Sequence, residues 1–217
     1  MIVTEAVRDY LGASRRDPDP LLAEMEAHGA REHIPIVMPE TGQLLQVLAL
    51  ARGARRVVEV GTAIGVSTLY LARALPPDGT VVTFEIDPKR QAAAREYLRR
   101  ASLEERVELR LEDARTGLAA LDGPFDLAFV DGSKTEYSDY LELLLPLLGE
   151  RSVLVVDNVL MGGTVAEAHS DGSWSEQQIA AVQMLNRRLV EDERLTATIT
   201  PIGDGVLIAV RSREGAG

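Results

Sequence analysis

The chain has 217 residues, 46% hydrophobic and 26% charged, a composition that suits a single globular domain with a full core. Its net charge of −11 disfavours broad binding to nucleic acid or to an anionic membrane. Cysteine is absent, which excludes disulfides, thiolate catalysis and cysteine zinc sites. No apolar run reaches the roughly 20 residues of a membrane helix, and no leader segment is visible, so a cytoplasmic enzyme is the simplest class.

Residues 2–12 read as a short amphipathic helix (Ile2, Val3, Ala6, Tyr10, Leu11), followed by a polar break over 15–20. Asp19-Pro20 supplies an N-cap and a first-turn proline for a second helix to about His28. Residues 29–37 read as a connection. Pro39 opens a third helix, 40–52, with Leu44, Leu45, Val47, Leu48 and Leu50 apolar and Gly53 closing it. Residues 1–53 are thus expected as a helical segment of a single domain whose core is 54–217.

From residue 55 strands and helices alternate. The strands are expected at 56–60, 80–85, 106–111, 125–130 and 152–156, with helices at 66–75, 88–101 and 135–148. A last helix, 175–191, precedes strands at 195–201 and 205–211. The short link Ile202-Gly203-Asp204 makes those two an antiparallel hairpin. The pattern predicts a three-layer αβα fold, a doubly wound, Rossmann-like, mostly parallel sheet of seven strands with an antiparallel C-terminal hairpin.

The first strand runs into a glycine turn, Glu59-Val60-Gly61-Thr62-Ala63-Ile64-Gly65-Val66-Ser67. A strand, a glycine turn and a helix start aim backbone N–H groups at a ligand above the turn. A dinucleotide fingerprint would place a glycine at Glu59 and another at Ile64. A carboxylate there repels a pyrophosphate and suits an ammonium group. The spacing Glu-x-Gly-x-x-x-Gly resembles the first motif of the methyltransferases that use S-adenosylmethionine (SAM), although a glycine turn without a ligand has the same spacing.

In a doubly wound sheet, ligands bind beyond the carboxyl ends of the strands. Here those ends carry Glu59, Glu85, Asp113, Asp131 and Asp157. Glu85, about 20 residues past the turn, suits ribose hydroxyls of either NAD or SAM; its plainer role is capping the next helix. Asp131 and Asp157-Asn158 end adjacent strands. Two carboxylates and an amide are hard ligands that suit Mg²⁺, and three protein oxygens leave room for acceptor oxygens and water. The plainer roles are a helix cap for Asp131 and a turn for Asp157. Lys134, at a helix start where the dipole disfavours it, is a candidate general base or a solvated surface lysine.

Taken together, these residues resemble the cation-dependent O-methyltransferases of the catechol and caffeoyl-CoA type. The likeness runs from about Pro35 to Val210. It rests on Pro39-Glu40-Thr41-Gly42-Gln43-Leu44-Leu45, the Glu59–Ser67 turn, Phe84-Glu85-Ile86-Asp87, Asp131-x-x-Lys134-x-x-Tyr137, Asp157-Asn158 and Pro201-Ile202-Gly203-Asp204-Gly205. The resemblance implies that Val37, Glu59, Gly61, Thr62, Gly65, Ser67, Glu85, Ala114 and Asp131 bind SAM. It implies that Asp131, Asp157 and Asn158 hold Mg²⁺ or another divalent cation, that Lys134 and Asp131 are catalytic, and that the chain is a homodimer. The acceptor would be a hydroxyl of a small aromatic vicinal diol, catechol-like or phenylpropanoid. Departures fall on the acceptor side: Ser133 replaces a substrate-facing acid, Ala63 a larger residue, and Met161-Gly162-Gly163-Thr164 stands after Asn158. The segment 159–175, with His169 and Trp174, is expected over the acceptor; no chemistry is assigned to His28, His33 or His169. Another small-molecule methyl acceptor, such as a natural-product intermediate, and an NAD-dependent oxidoreductase are the competing readings.

Overall fold

The computed structural model describes residues 4–14, 19–167, 170 and 172–212. Helices α1 (Glu5–Ser14), α2 (Pro20–Glu32) and α3 (Pro39–Arg52) precede the alternating part. That part runs β1 (Arg56–Val60), α4 (Val66–Ala74), β2 (Thr80–Glu85), α5 (Pro88–Arg100), β3 (Val107–Leu111), α6 (Ala114–Ala119), β4 (Phe125–Val130), α7 (Tyr137–Leu144) and β5 (Leu148–Val156). Then come α8 (Thr164–Glu167), α9 (Glu176–Glu191), β6 (Leu195–Thr200) and β7 (Val206–Arg211).

The sheet has seven strands in the order β3-β2-β1-β4-β5-β7-β6. β1 to β5 pair in parallel, and the closing hairpin is antiparallel, with Val156 opposite Leu207 and Thr200 opposite Val206. Successive strand side chains point to opposite faces, so each strand feeds two cores. Val58, Val60, Leu154 and Val156 meet α6, α7, α8 and α9 on one face. Val57, Leu127, Phe129 and Val155 meet α2, α3, α4 and α5 on the other. This is the expected three-layer fold. The chain reverses its direction of winding between β1 and β4, and the crevice above their carboxyl ends is where such sheets hold ligands.

Three boundaries differ from expectation. α2 continues past His28 to Glu32, because Gly29 belongs to the helix: a Cβ there would lie 3.0 Å from Ile36, so glycine lets the following connection lie against it. His33 then closes the helix in a left-handed conformation. The helix expected at 135–148 ends at Leu144, where Pro146 tightens the chain into a 3₁₀ turn. β5 starts at Leu148 rather than 152, its polar stretch absorbed by a register shift and by Arg151 at φ 60°. α6 was not expected at all. The expected first turn of α1 includes residues outside the described set. Among the described residues no helix is long and apolar enough to cross a membrane.

Candidate active site

Backbone hydrogen bonds carry the parallel ladder one residue beyond each strand. Gly61 N–H donates to Phe84 O (3.2 Å), Asp131 N–H to Val60 O (2.9 Å) and Asp157 N–H to Val130 O (3.0 Å). These bonds line up the glycine turn and both aspartates along one edge, over a cavity of about 720 Å³. Gly61, at φ 97°, permits the closest approach: a Cβ there would lie 2.2 Å from the Asp131 carbonyl oxygen.

Of the expected donor-site residues, Val37, Gly61, Thr62, Ser67, Glu85, Ala114 and Asp131 line this cavity. Glu59 and Gly65 stand behind it. Glu59 is fully buried; its Oε2 accepts from Thr68 Oγ1 (2.5 Å) and Thr83 Oγ1 (2.7 Å), while Oε1 has no partner. Burial raises its proton affinity, partly offset by the neighbouring hydroxyls of Ser67, Thr68 and Thr83. Gly65 opens α4 at φ 88° and faces Ala94 of α5, so its need is helix packing. Glu85 does not cap α5, which Asp87 caps. Its Oε2 instead accepts from Ala63 N–H (2.8 Å), and its Oε1 from Ile86 and Asp87 N–H (2.9 Å each). Glu85 therefore ties the glycine turn of β1 to the end of β2. Asp113 caps α6, and Ala114 behind it reaches the cavity wall.

The other half of the cavity centres on Lys134. Its ammonium is buried and donates to Asp131 Oδ1 (2.9 Å), Asn158 Oδ1 (2.5 Å) and Tyr137 Oη (2.7 Å). Tyr137 in turn donates to the Asp157 carbonyl (3.1 Å). Lys134 is thus neither solvated nor a surface group, and Asp131 pairs with it rather than capping a helix. Asn158 takes a left-handed conformation, φ 58°, that turns its amide toward Lys134. Burial, and then the nearby charge of Asp131, push the Asp157 carboxyl up to about 7.

Among the described residues no three His, Cys, Asp or Glu side chains cluster as a metal site would. The candidate set is two carboxylates and an amide, and it fits a hard cation on one observation. The Lys134 ammonium already bridges Asp131 and Asn158, a positive charge standing where a cation would share their oxygens.

Thr68 and Thr83, which had no signal in the sequence, hold Glu59 from two other elements behind the cavity. Met38, Thr41, Gln178 and Asp204 reach the cavity wall from the far ends of the chain; Thr41 and Asp204 stand in motifs that carried the resemblance, whereas Met38 and Gln178 were not singled out. Of the segment 159–175, Trp174 reaches the cavity, while Val159 and Met161 are core. His169 lies outside the described residues. His28 bonds the Tyr97 hydroxyl (2.9 Å), away from the cavity.

A sequence model of the O-methyltransferase family matches residues 13–212. The chain belongs to this family. A catechol O-methyltransferase of Mycobacterium tuberculosis is 36% identical over 205 residues, 93% of each chain. One of Niastella koreensis is 34% identical over 183 residues, 80% of this chain and 81% of that one. The O-methyltransferase TomG of Streptomyces achromogenes, involved in tomaymycin synthesis and solved in complex with SAM, superposes with a TM-score of 0.85. It is 31% identical and covers 97% of this chain and 100% of its own. A Bacillus cereus O-methyltransferase solved with SAH gives a TM-score of 0.84 at 32% identity, covering 95% of this chain and 97% of its own. The resemblance carried by the motifs is borne out at the level of family and fold, and the chain is an O-methyltransferase.

Proposed function

We propose that this O-methyltransferase transfers the methyl group of SAM to one hydroxyl of a small aromatic vicinal diol, with a divalent cation held by Asp131, Asp157 and Asn158. The observation that carries this reading is the contact of Lys134 with both Asp131 and Asn158 at the junction of the two cavity halves. In the donor half, Gly61 and Thr62 offer backbone, Val37, Ser67 and Ala114 form walls, and Glu85 takes the ribose hydroxyls. Glu59 and Gly65 brace the turn from behind, and the acid-lined edge favours a sulfonium.

SAM supplies an electrophilic methyl, and a bound divalent cation would hold the two acceptor oxygens and lower the hydroxyl pKa. The chain's own part is position and proton movement. Lys134, neutral after releasing one proton to solvent, shares its two remaining N–H groups among Asp131, Asn158 and Tyr137 and has a lone pair for the acceptor proton. Tyr137 fixes Lys134 to the end of β5. The walls exclude water and hold the reactants for in-line attack.

Isothermal titration with SAM and, separately, NAD should give binding of SAM alone; binding of NAD alone would return the dehydrogenase reading. Turnover of a catechol panel should collapse with EDTA and in Asp157→Ala. Robust turnover in EDTA would remove the cation from the proposal. Lys134→Ala should remove the rise of rate with pH that deprotonation of this base imposes on the low-pH side of the wild-type profile, and an unaltered profile would dismiss it as base.

A further inference from the structure

We propose that Asp204 selects the charge of the acceptor, admitting aromatic diols with an uncharged or ammonium-bearing tail and rejecting carboxylate- and phosphate-bearing ones. The inference rests on the diol reading and narrows it.

Every other carboxylate on the cavity wall has a partner. Glu85 and Asp157 accept backbone N–H groups, and Asp131 pairs with Lys134. Glu112, Asp113 and Glu136 pair with arginines. Asp204 has neither a donor nor a cation among the described residues, although it lines the same cavity. Its place is fixed. Leu160 N–H donates to the Asp204 carbonyl (3.0 Å) and Val159 N–H to that of Gly205 (2.9 Å), so the turn is bound to the segment leaving Asn158.

A second observation falls on the same wall. Thr41 of α3 lines the cavity and is fully buried, and its hydroxyl has no partner. A Cβ on Gly203 would lie 3.0 Å from that hydroxyl, so Thr41 abuts the turn that carries Asp204. One wall thus holds a half-buried carboxylate with no donor or cation among the described residues and a fully buried hydroxyl with no partner, and an orphaned buried hydroxyl is unusual unless a ligand supplies its partner.

Cations are scarce. Among the described residues only Arg90 and Lys134 bring positive charge to the cavity wall. Lys134 is held by three oxygens, and Arg90 lies at the start of α5, 3.8 Å from Asp87, on the donor side beyond Glu85. An anionic tail on the acceptor would face Asp204 with no counter-charge. An ammonium tail would complete it, and a neutral tail would leave it solvated at the mouth.

The test uses three catechols matched in size, with an aminoethyl, an ethyl or a carboxymethyl tail, at saturating SAM and fixed pH near neutrality. The ratio of kcat/KM for the aminoethyl over the carboxymethyl compound should be at least about tenfold, since like charges brought together at a site are strongly disfavoured. Asp204→Asn should lower that ratio by about fivefold or more, with Asp204→Ser as the second neutral variant should the first fold poorly. A ratio between two acceptors is independent of the fraction of active protein. Equal use of the charged compounds, or a ratio unmoved in both variants, overturns the role of Asp204 while leaving the diol reading intact. No turnover of any of the three by protein shown to bind SAM overturns the diol reading, and this proposal with it.

Discussion

At Asp157 the carboxyl is pushed up to about 7 from an ordinary 3.8, first by burial and then by Asp131. The metal-free folded chain therefore holds this proton more tightly than the unfolded chain does. The sign follows from linkage: the stabilising proton is fully present below the unfolded value and is lost as pH rises through the folded one. Fully buried Glu59 is shifted in the same direction. The thermal midpoint of the EDTA-treated protein should fall between about pH 5 and about pH 8, and Asp157→Asn should flatten that fall. Divalent cation should restore part of the loss near pH 8 and bind more weakly below about 7, since metal and proton compete for one carboxylate. Thermal melts at both pH values, with and without cation, check this. Gly61→Ala is the harshest small change in the site. Its methyl would meet the Asp131 carbonyl at 2.2 Å, on a residue at φ 97°. It should cost roughly 1–3 kcal/mol in urea denaturation and weaken SAM binding more than tenfold by titration. Both Gly61 and Asp157 were legible, because glycine turns and strand-end acids announce themselves locally. The surroundings of Glu59 and Asp157 were not: Thr68 and Thr83 reach Glu59 from other elements, and Tyr137 reaches Asp157 across a sequence separation of 20.

Elements built on periodic apolar residues were readable, and those built on exceptions were not. β1, β2 and β4 stand where expected, because buried parallel strands are short runs of branched apolar residues. α6 has six residues and a glycine in the middle. That glycine is required, since a Cβ at Gly117 would sit 2.0 Å from the Phe84 ring, but it erases the helical signal. The amino end of β4 carries a fastening with no active-site role. Asp126 accepts from Arg55 N–H (2.8 Å), Arg56 N–H (3.0 Å) and Arg52 Nη2 (2.9 Å), joining the end of α3 and the start of β1 to β4. Asp126→Ala should lower unfolding stability by roughly 2 kcal/mol, with SAM affinity unaltered because the site is at the other end of the strand. Chemical denaturation and titration on one preparation test both halves. At α9 the capping box of Ser175 and Gln178 opens the helix that follows Trp174. Ser175→Ala should cost about 1 kcal/mol by the same denaturation measurement and raise the acceptor KM more than the SAM KM, because Gln178 also lines the cavity.

For the molecule as a whole the net charge is −11, and the cavity wall carries seven carboxylates, three of them paired with arginines, against two lining cations among the described residues. Such a field favours a cationic donor over its uncharged product. Raising salt from low to about 0.5 M should weaken SAM binding by roughly twofold or more and leave binding of SAH nearly unmoved, and paired titrations decide it. The overall fold was legible because a doubly wound sheet imposes one repeating pattern, whereas the wall proposed for the acceptor joins α3, α9 and the β6–β7 turn, which lie far apart in sequence and share no local pattern. The two halves of the cavity also differ in how they are held. Gly61, Asp131 and Asp157 are tied to the sheet by its own backbone ladder, whereas Asp204 and Trp174 sit on connections outside the ladder. Heredity can act on them separately. Mutation of the connections can retune which alcohol is accepted over many generations, while the transfer chemistry passes unchanged from ancestor to descendant, and a laboratory library confined to those connections should diversify substrates without rebuilding the catalyst.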